Sequence, residues 1–286
     1  MNRFKTAFLL IVLSALLVVL GQALGGSQGA IFALVIAGAM NFVSYWWIDK
    51  IVLRMYRAKE VTEAEAPEFF SIVADLAQRA SVPRPRVYVI PSDTPNAFAT
   101  GRNPQHAAVA VTQGILRILD RRELTGVLAH ELSHVFNRDI LISSIAATIA
   151  GAISYLGTMF RWGAILGGNN SENRGGNVLF AFLVSIVVSV AAMLIQLAIS
   201  RTREFGADAA GATLTHDPEA LASALLKLQR ASEAIPMENA NPSTAHMFIV
   251  NPLVGGGLMR LFSTHPPTEE RVKRLREMDH QTVYTR

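Results

Sequence analysis

Four apolar stretches, Phe4–Leu24, Gly29–Ile48, Ile140–Met159 and Val178–Ile199, set the strongest limit on how this chain folds. A hydrocarbon core of about 30 Å takes roughly 20 helical residues to cross, and each stretch is near that length. Over the whole chain 51% of residues are hydrophobic and only 17% are charged, as expected of a membrane protein. The first stretch follows Arg3 and contains Lys5. A cleaved signal peptide is the alternative reading there, but the apolar run is longer than a usual signal core and favours a retained anchor. The third is the least apolar. Its residues Ser143, Ala147 and Gly151 recur every fourth position, a small-residue stripe against which another helix could pack closely; an amphipathic soluble helix is the alternative.

Orientation follows from the flanks. Gly25-Gly26-Ser27-Gln28 carries no charge, whereas the second stretch ends in Tyr45-Trp46-Trp47 followed by Lys50, Arg54, Arg57 and Lys59, the pattern of a cytoplasmic exit. The Gly- and Asn-rich Arg161–Asn177 then reads as a short extracytoplasmic loop. This anchoring accounts for the net charge of +4 without nucleic acid, for which there is no long basic run. The expected organisation is two spans in 1–48, a first cytoplasmic part in 49–139, two more spans in 140–199 and a second cytoplasmic part in 200–286. The architecture is mainly α with a small β-sheet.

Between the membrane pairs, Pro67–Ala80 has the 3.6-residue apolar period of a helix. Arg86–Ile90 and Ala107–Thr112 read as strands between turn residues, and Arg121–Arg138 as a helix. After the last span, Thr202–Leu214 and Pro218–Ser232 read as helices, Ile235–Thr264 as irregular, and Pro267–Met278 as a charged terminal helix. Ala107–Thr112, preceded by Asn96-Ala97-Phe98-Ala99, is either an edge strand able to hold an extended peptide or an internal packed strand.

The chemistry lies in His130-Glu131-Leu132-Ser133-His134. Residues four apart share a helix face, so both imidazoles can grip one Zn²⁺ while Glu131 turns toward a water in the open position. The chain has no cysteine, so thiolate zinc sites and thiol catalysis are excluded and the ligands must be His and carboxylate. A catalytic zinc takes three protein ligands. The chain returns to the cytoplasmic side at Arg201–Asp208, where Glu204 is the candidate third ligand. Asp208, on the same helical face, is the candidate carboxylate to orient a ligand histidine. An exposed helix with Glu204 paired to an arginine is the alternative. His134 precedes Ile140 by six residues and Glu204 follows Ile199 by five, which puts the metal about 8–10 Å of helix from the membrane boundary.

Four segments, His130–Asp139, Ser200–Ala212, Asn96–Thr112 and Phe262–Arg271, closely resemble corresponding segments of the HtpX family, bacterial membrane-bound zinc metalloproteases related to the CAAX prenyl proteases. The resemblance extends from the first span to the terminal helix; Phe136, where a polar or basic residue is expected, is a departure outside the ligand set. It implies a gluzincin-type domain in the cytoplasm, one Zn²⁺, an inner-membrane location, and degradation of damaged or misfolded membrane proteins under stress. It also makes His265, in Thr264-His265-Pro266-Pro267, the candidate oxyanion donor, with a helix-capping role as the alternative. His246 is a weaker candidate. A prenyl-peptide or lipid-linked peptidase would share the chemistry but usually has more spans. A channel would carry ionisable groups inside its spans, and the interiors of these four have none.

Overall fold

The computed structural model describes residues 2–166, 174–234, 249 and 266–284. The described chain forms two compact units, Met1–Tyr45 with Ile142–Ser200, and Trp46–Leu141 with Arg201–Arg286. Three helices contribute to the first unit: α1 (Asn2–Met55), α5 (Asp139–Leu166) and α6 (Arg174–Thr215). Helix α1 doubles back on itself. Gly26 has φ of +60°, which costs glycine nothing, and a Cβ on Gly21 would lie 2.9 Å from the Ala30 backbone. Leu13, Leu17 and Leu20 thus share a core with Ala33, Ala37, Ala146, Ile153 and Ala192. Meanwhile Phe8, Ile11, Val19, Phe32, Val35, Val187 and Leu194 are exposed, an apolar surface that water would not tolerate but lipid would.

Segment Ser185–Thr215 is long and apolar enough to cross a membrane, and shorter apolar helices run over Ala7–Gln22, Gly26–Ala39 and Ile145–Thr158. The sequence-based packing stripe on α5 is corrected. Gly151 is exposed with open space beside it, and the buried small residues include Ala146, Ala150, Ala152 and Gly157. A Cβ at Gly157 would lie 2.9 Å from Ser189 Oγ. Two small-residue stripes lie side by side on this helix, and four-residue spacing alone could not choose between them. Helices α5 and α6 also extend into the expected loop Arg161–Asn177, leaving 167–173 outside the described residues.

The second unit is built on a four-stranded sheet of order β1-β2-β4-β3. Strand β1 (Lys59–Glu60) runs antiparallel to β2 (Arg86–Ile90). Strand β4 (Ala108–Thr112) runs parallel to β2, Arg86 opposite Ala108 and Ile90 opposite Thr112, and antiparallel to β3 (Ala97–Thr100). The edge reading of Ala107–Thr112 is therefore overturned: it is interior, and among the described residues β3 is the edge on its side of the sheet. Interior placement explains why all five β4 residues are buried and the first four are apolar on both faces. On one face Val87, Val109, Val111, Ala97 and Ala99 meet α2 (Pro67–Arg79) and α4 (Arg121–Phe136). On the other, Tyr88, Phe98 and Ala110 meet Val52, Leu53 and Tyr56 from the end of α1.

Short α3 (Gln113–Ile118) leads into α4, whose start is fixed by a capping box: Asp120 accepts from the Glu123 N–H and Glu123 accepts from the Asp120 N–H. Arg138, at φ +56°, ends the turn after α4 and lets α5 begin at Asp139. Helices α7 (Pro218–Ala234) and α8 (Thr268–Tyr284) pack on each other, and α7 also packs on α4. The segment of α6 after Ser200 approaches α4 at Gly211, where a Cβ would lie 2.8 Å from the His130 nitrogen. Only backbone stands in that gap, so it cannot yield by rotating a side chain. Gly211→Ala is expected to cost about 1–3 kcal/mol, as overpacking does, and to weaken metal binding by moving α6 from α4. Thermal unfolding of the full chain in detergent and chelator competition check both; an unchanged melting temperature and affinity would contradict this packing.

Candidate active site

Helix α4 carries His130, Glu131 and His134 on its buried side; His130 is fully buried, while His134 keeps 15% of its side chain exposed. Helix α6 supplies Glu204 and Asp208, one turn apart and both buried. The distance from His130 Nε2 to His134 Nε2 is 3.2 Å, from His134 Nε2 to Glu204 Oε1 3.3 Å, and from His130 Nε2 to Glu204 Oε2 3.6 Å. Two ligands about 2.0–2.1 Å from a tetrahedral zinc stand about 3.3–3.4 Å apart. The three side chains thus trace the edges of one face of such a tetrahedron. Three ligand atoms lie within 4.8 Å of one another, a donor set of two nitrogens and a carboxylate fit for a metal ion.

The other ring nitrogens are fixed by carboxylates. His130 Nδ1 donates to Asp208 Oδ1 at 2.9 Å, the contact expected of Asp208, and this leaves Nε2 free to face the other ligands. His134 Nδ1 donates to Asp139 Oδ2 at 3.0 Å, a partner that the sequence reading did not identify. Each carboxylate has an arginine. Arg203 pairs with Asp139 and donates to the Asn137 carbonyl at 3.2 Å. Arg271, on α8, grips Asp208 with two bonds of 2.9 and 2.7 Å. Arg271 was also missed, although a signal existed: it is a charged residue on the buried face that Val272 and Leu275 define in α8.

Glu131 is buried beside the histidines and accepts from the Ala99 N–H on the edge strand β3 at 2.9 Å. Burial raises its carboxyl above the usual range, against the pull of the imidazoles, so it takes up a proton more readily than a free glutamate. At His130 and His134, burial works to lower the imidazole values. The contacts with Asp208 and Glu204 at His130, and with Glu204 at His134, outweigh it and raise both above the usual value of about 6.5. His265 and His246 lie outside the described residues. His106 is held on the surface by Asn103 and joins no cluster with the other histidines among the described residues.

Residues 63–279 match the family described as Peptidase family M48. The chain is 58% identical over 277 residues to a protein named Protease HtpX homolog from Desulforapulum autotrophicum, covering 96% of this chain and 89% of that one. It is 57% identical over 280 residues to the protein of the same name from Syntrophobacter fumaroxidans, covering 97% and 99%. Against that from Methylibium petroleiphilum it is 55% identical over 284 residues, 99% of each chain. Among solved structures, S. mikatae Ste24p shares the fold with a TM-score of 0.58 at 18% identity; the match covers 94% of this chain and 62% of that one.

The raised histidine values carry a sign. In metal-free protein their stabilising contribution is full below about pH 6.5, the unfolded value, and is lost as pH rises through the higher folded values. A metal must displace these protons. Zinc uptake by chelator-stripped protein just above pH 6.5 is therefore expected to release protons, and the affinity to rise with pH. Titration calorimetry in two buffers of different ionisation heat measures the release, and none at all would contradict the assigned contacts.

Proposed function

This chain belongs to peptidase family M48 and is a membrane-associated metalloprotease, and on that premise we propose that it is a zinc endopeptidase of the bacterial inner membrane that hydrolyses misfolded or damaged membrane proteins at the cytoplasmic face. The observation that carries the chemistry is the triangle of His130, His134 and Glu204 with tetrahedral-edge spacing and Glu131 buried beside it. These three residues would hold one Zn²⁺ and leave a fourth position open. When bound, the ion lowers the pKa of its water and polarises the scissile carbonyl.

The remaining steps fall to the chain. Glu131 takes the proton of the attacking water and passes it to the leaving amine, and its burial suits a proton acceptor. Asp208 and Asp139 keep the two imidazoles turned with Nε2 inward. His265, by the resemblance of its His-Pro-Pro segment to the prenyl proteases, is proposed for the oxyanion contact. Strand β3 is the peptide-holding edge. Thr112 N–H bonds to Asn96 O across to β4, so the alternating main-chain groups of Ala97 and Ala99 point away from β4. Ala99, whose N–H reaches Glu131, brings an extended peptide to the catalytic carboxylate by main-chain pairing, which tolerates many sequences.

We read the domain order 1–48, 49–139, 140–199 and 200–286 as four spans with two cytoplasmic parts; the six residues from His134 to Ile140 and the five from Ile199 to Glu204 support a site near the lipid bilayer, within reach of membrane-protein segments. The exposed apolar surface of the first unit supports contact with lipid. The basic residues Lys50, Arg54 and Arg57 after Trp46-Trp47 support the cytoplasmic orientation.

Glu131→Gln is expected to retain zinc and to lose cleavage of an unfolded protein such as casein by several orders of magnitude, whereas Glu204→Ala loses the metal. Metal analysis beside the cleavage assay separates the two. Native-rate cleavage by the Gln variant would show that another group is the base.

A further inference from the structure

Resting on the reading of this site as a peptidase centre, we propose that Arg271 is a positioning residue that joins the metal-holding histidine to the strand edge that receives the peptide. The side chain is 2% exposed and reaches four partners, Asp208, the Ile249 carbonyl, Glu204 and, with Nη2 at 3.4 Å, the His130 ring. Its Nε and Nη2 donate to the two oxygens of Asp208 at 2.9 and 2.7 Å, and Asp208 in turn accepts from His130 Nδ1. Its Nη1 donates to the Ile249 carbonyl at 3.2 Å and stands 3.6 Å from Glu204 Oε2. The Ile249 N–H donates to the Ala97 carbonyl on β3 at 3.1 Å, two residues before the Ala99 N–H that holds Glu131.

The guanidinium is therefore shared by two chains of hydrogen bonds. One runs through Asp208 to a metal ligand, and the other through Ile249 to the outer edge of β3. By binding Ala97, Ile249 occupies one outward carbonyl of that edge, so the next outward carbonyl that a peptide can pair with is that of Ala99, whose N–H holds the catalytic glutamate. A planar fork with five donors can serve both chains at once, whereas a lysine ammonium keeps the charge without the fork. Arg271 thus sets the orientation of the His130 ring and the register of the bound peptide together.

The test uses the full-length protein in detergent with Arg271→Lys, and Arg271→Ala where it folds. Zinc affinity by chelator competition is expected to fall about 10- to 100-fold, as for other residues that orient a ligand. Residue-resolved hydrogen exchange is expected to show the Ile249 amide exchanging faster, and KM for casein to rise several-fold beyond any loss in kcat. A fall in zinc affinity with Ile249 exchange and KM at their native values would reduce Arg271 to a partner of Asp208 and overturn the proposal. Unchanged zinc affinity in Arg271→Lys would overturn it equally. His130→Ala run alongside separates the two levels: native zinc affinity in that variant would instead refute the metal site itself.

Discussion

Everything in the second unit is arranged around the cost of burying charge. Glu131, Asp139, Glu204 and Asp208 are all withdrawn from water, and each ionised carboxylate so buried costs several kcal/mol unless compensated. Compensation is distributed. Arg271 answers Asp208, Arg203 answers Asp139, and the Ala99 N–H answers Glu131. Glu204 divides its two oxygens between the two imidazoles, and a divalent cation held by these three would complete the balance. The metal site is in this sense the charge balance of a buried cluster, with the histidines turned inward by carboxylates that are themselves neutralised.

Geometry follows from local devices that the chain places around that cluster. The capping box at Asp120 and Glu123 fixes where α4 begins, and so which of its faces presents His130 and His134. The left-handed Arg138 breaks the helix, and Asp139, only five residues beyond His134, comes back to its ring. Absence of a side chain at Gly211 lets α6 lie against the His130 backbone, with Glu204 and Asp208 one turn apart in the same helix. The ligands come from two helices, but the restraints on them come from four.

Much of this was legible in the sequence because it is periodic or local. The spacing of His130 and His134, and of Glu204 and Asp208, is a one-turn repeat on a helix, and helical continuity carries it into space. Strands β2 and β4 were readable as apolar runs, but the order of the sheet was not. Ala97–Thr100 is too short to announce a strand, and which strand forms the edge is settled by pairing between distant segments. Asp139 escaped notice because its contact needs a helix break at Arg138. Arg271 escaped because its partner Asp208 stands 63 positions away. Both are charged residues whose meaning depends on burial, and burial is a property of the folded chain.

X-ray absorption at the zinc edge of the full-length protein loaded with one equivalent of metal tests the central claim most directly. The account predicts a single ion with two imidazole nitrogens at about 2.0–2.1 Å, carboxylate oxygen at a similar distance, and a further light-atom ligand from solvent. A first shell with fewer than two imidazoles, or one closed by four protein side chains, would contradict it.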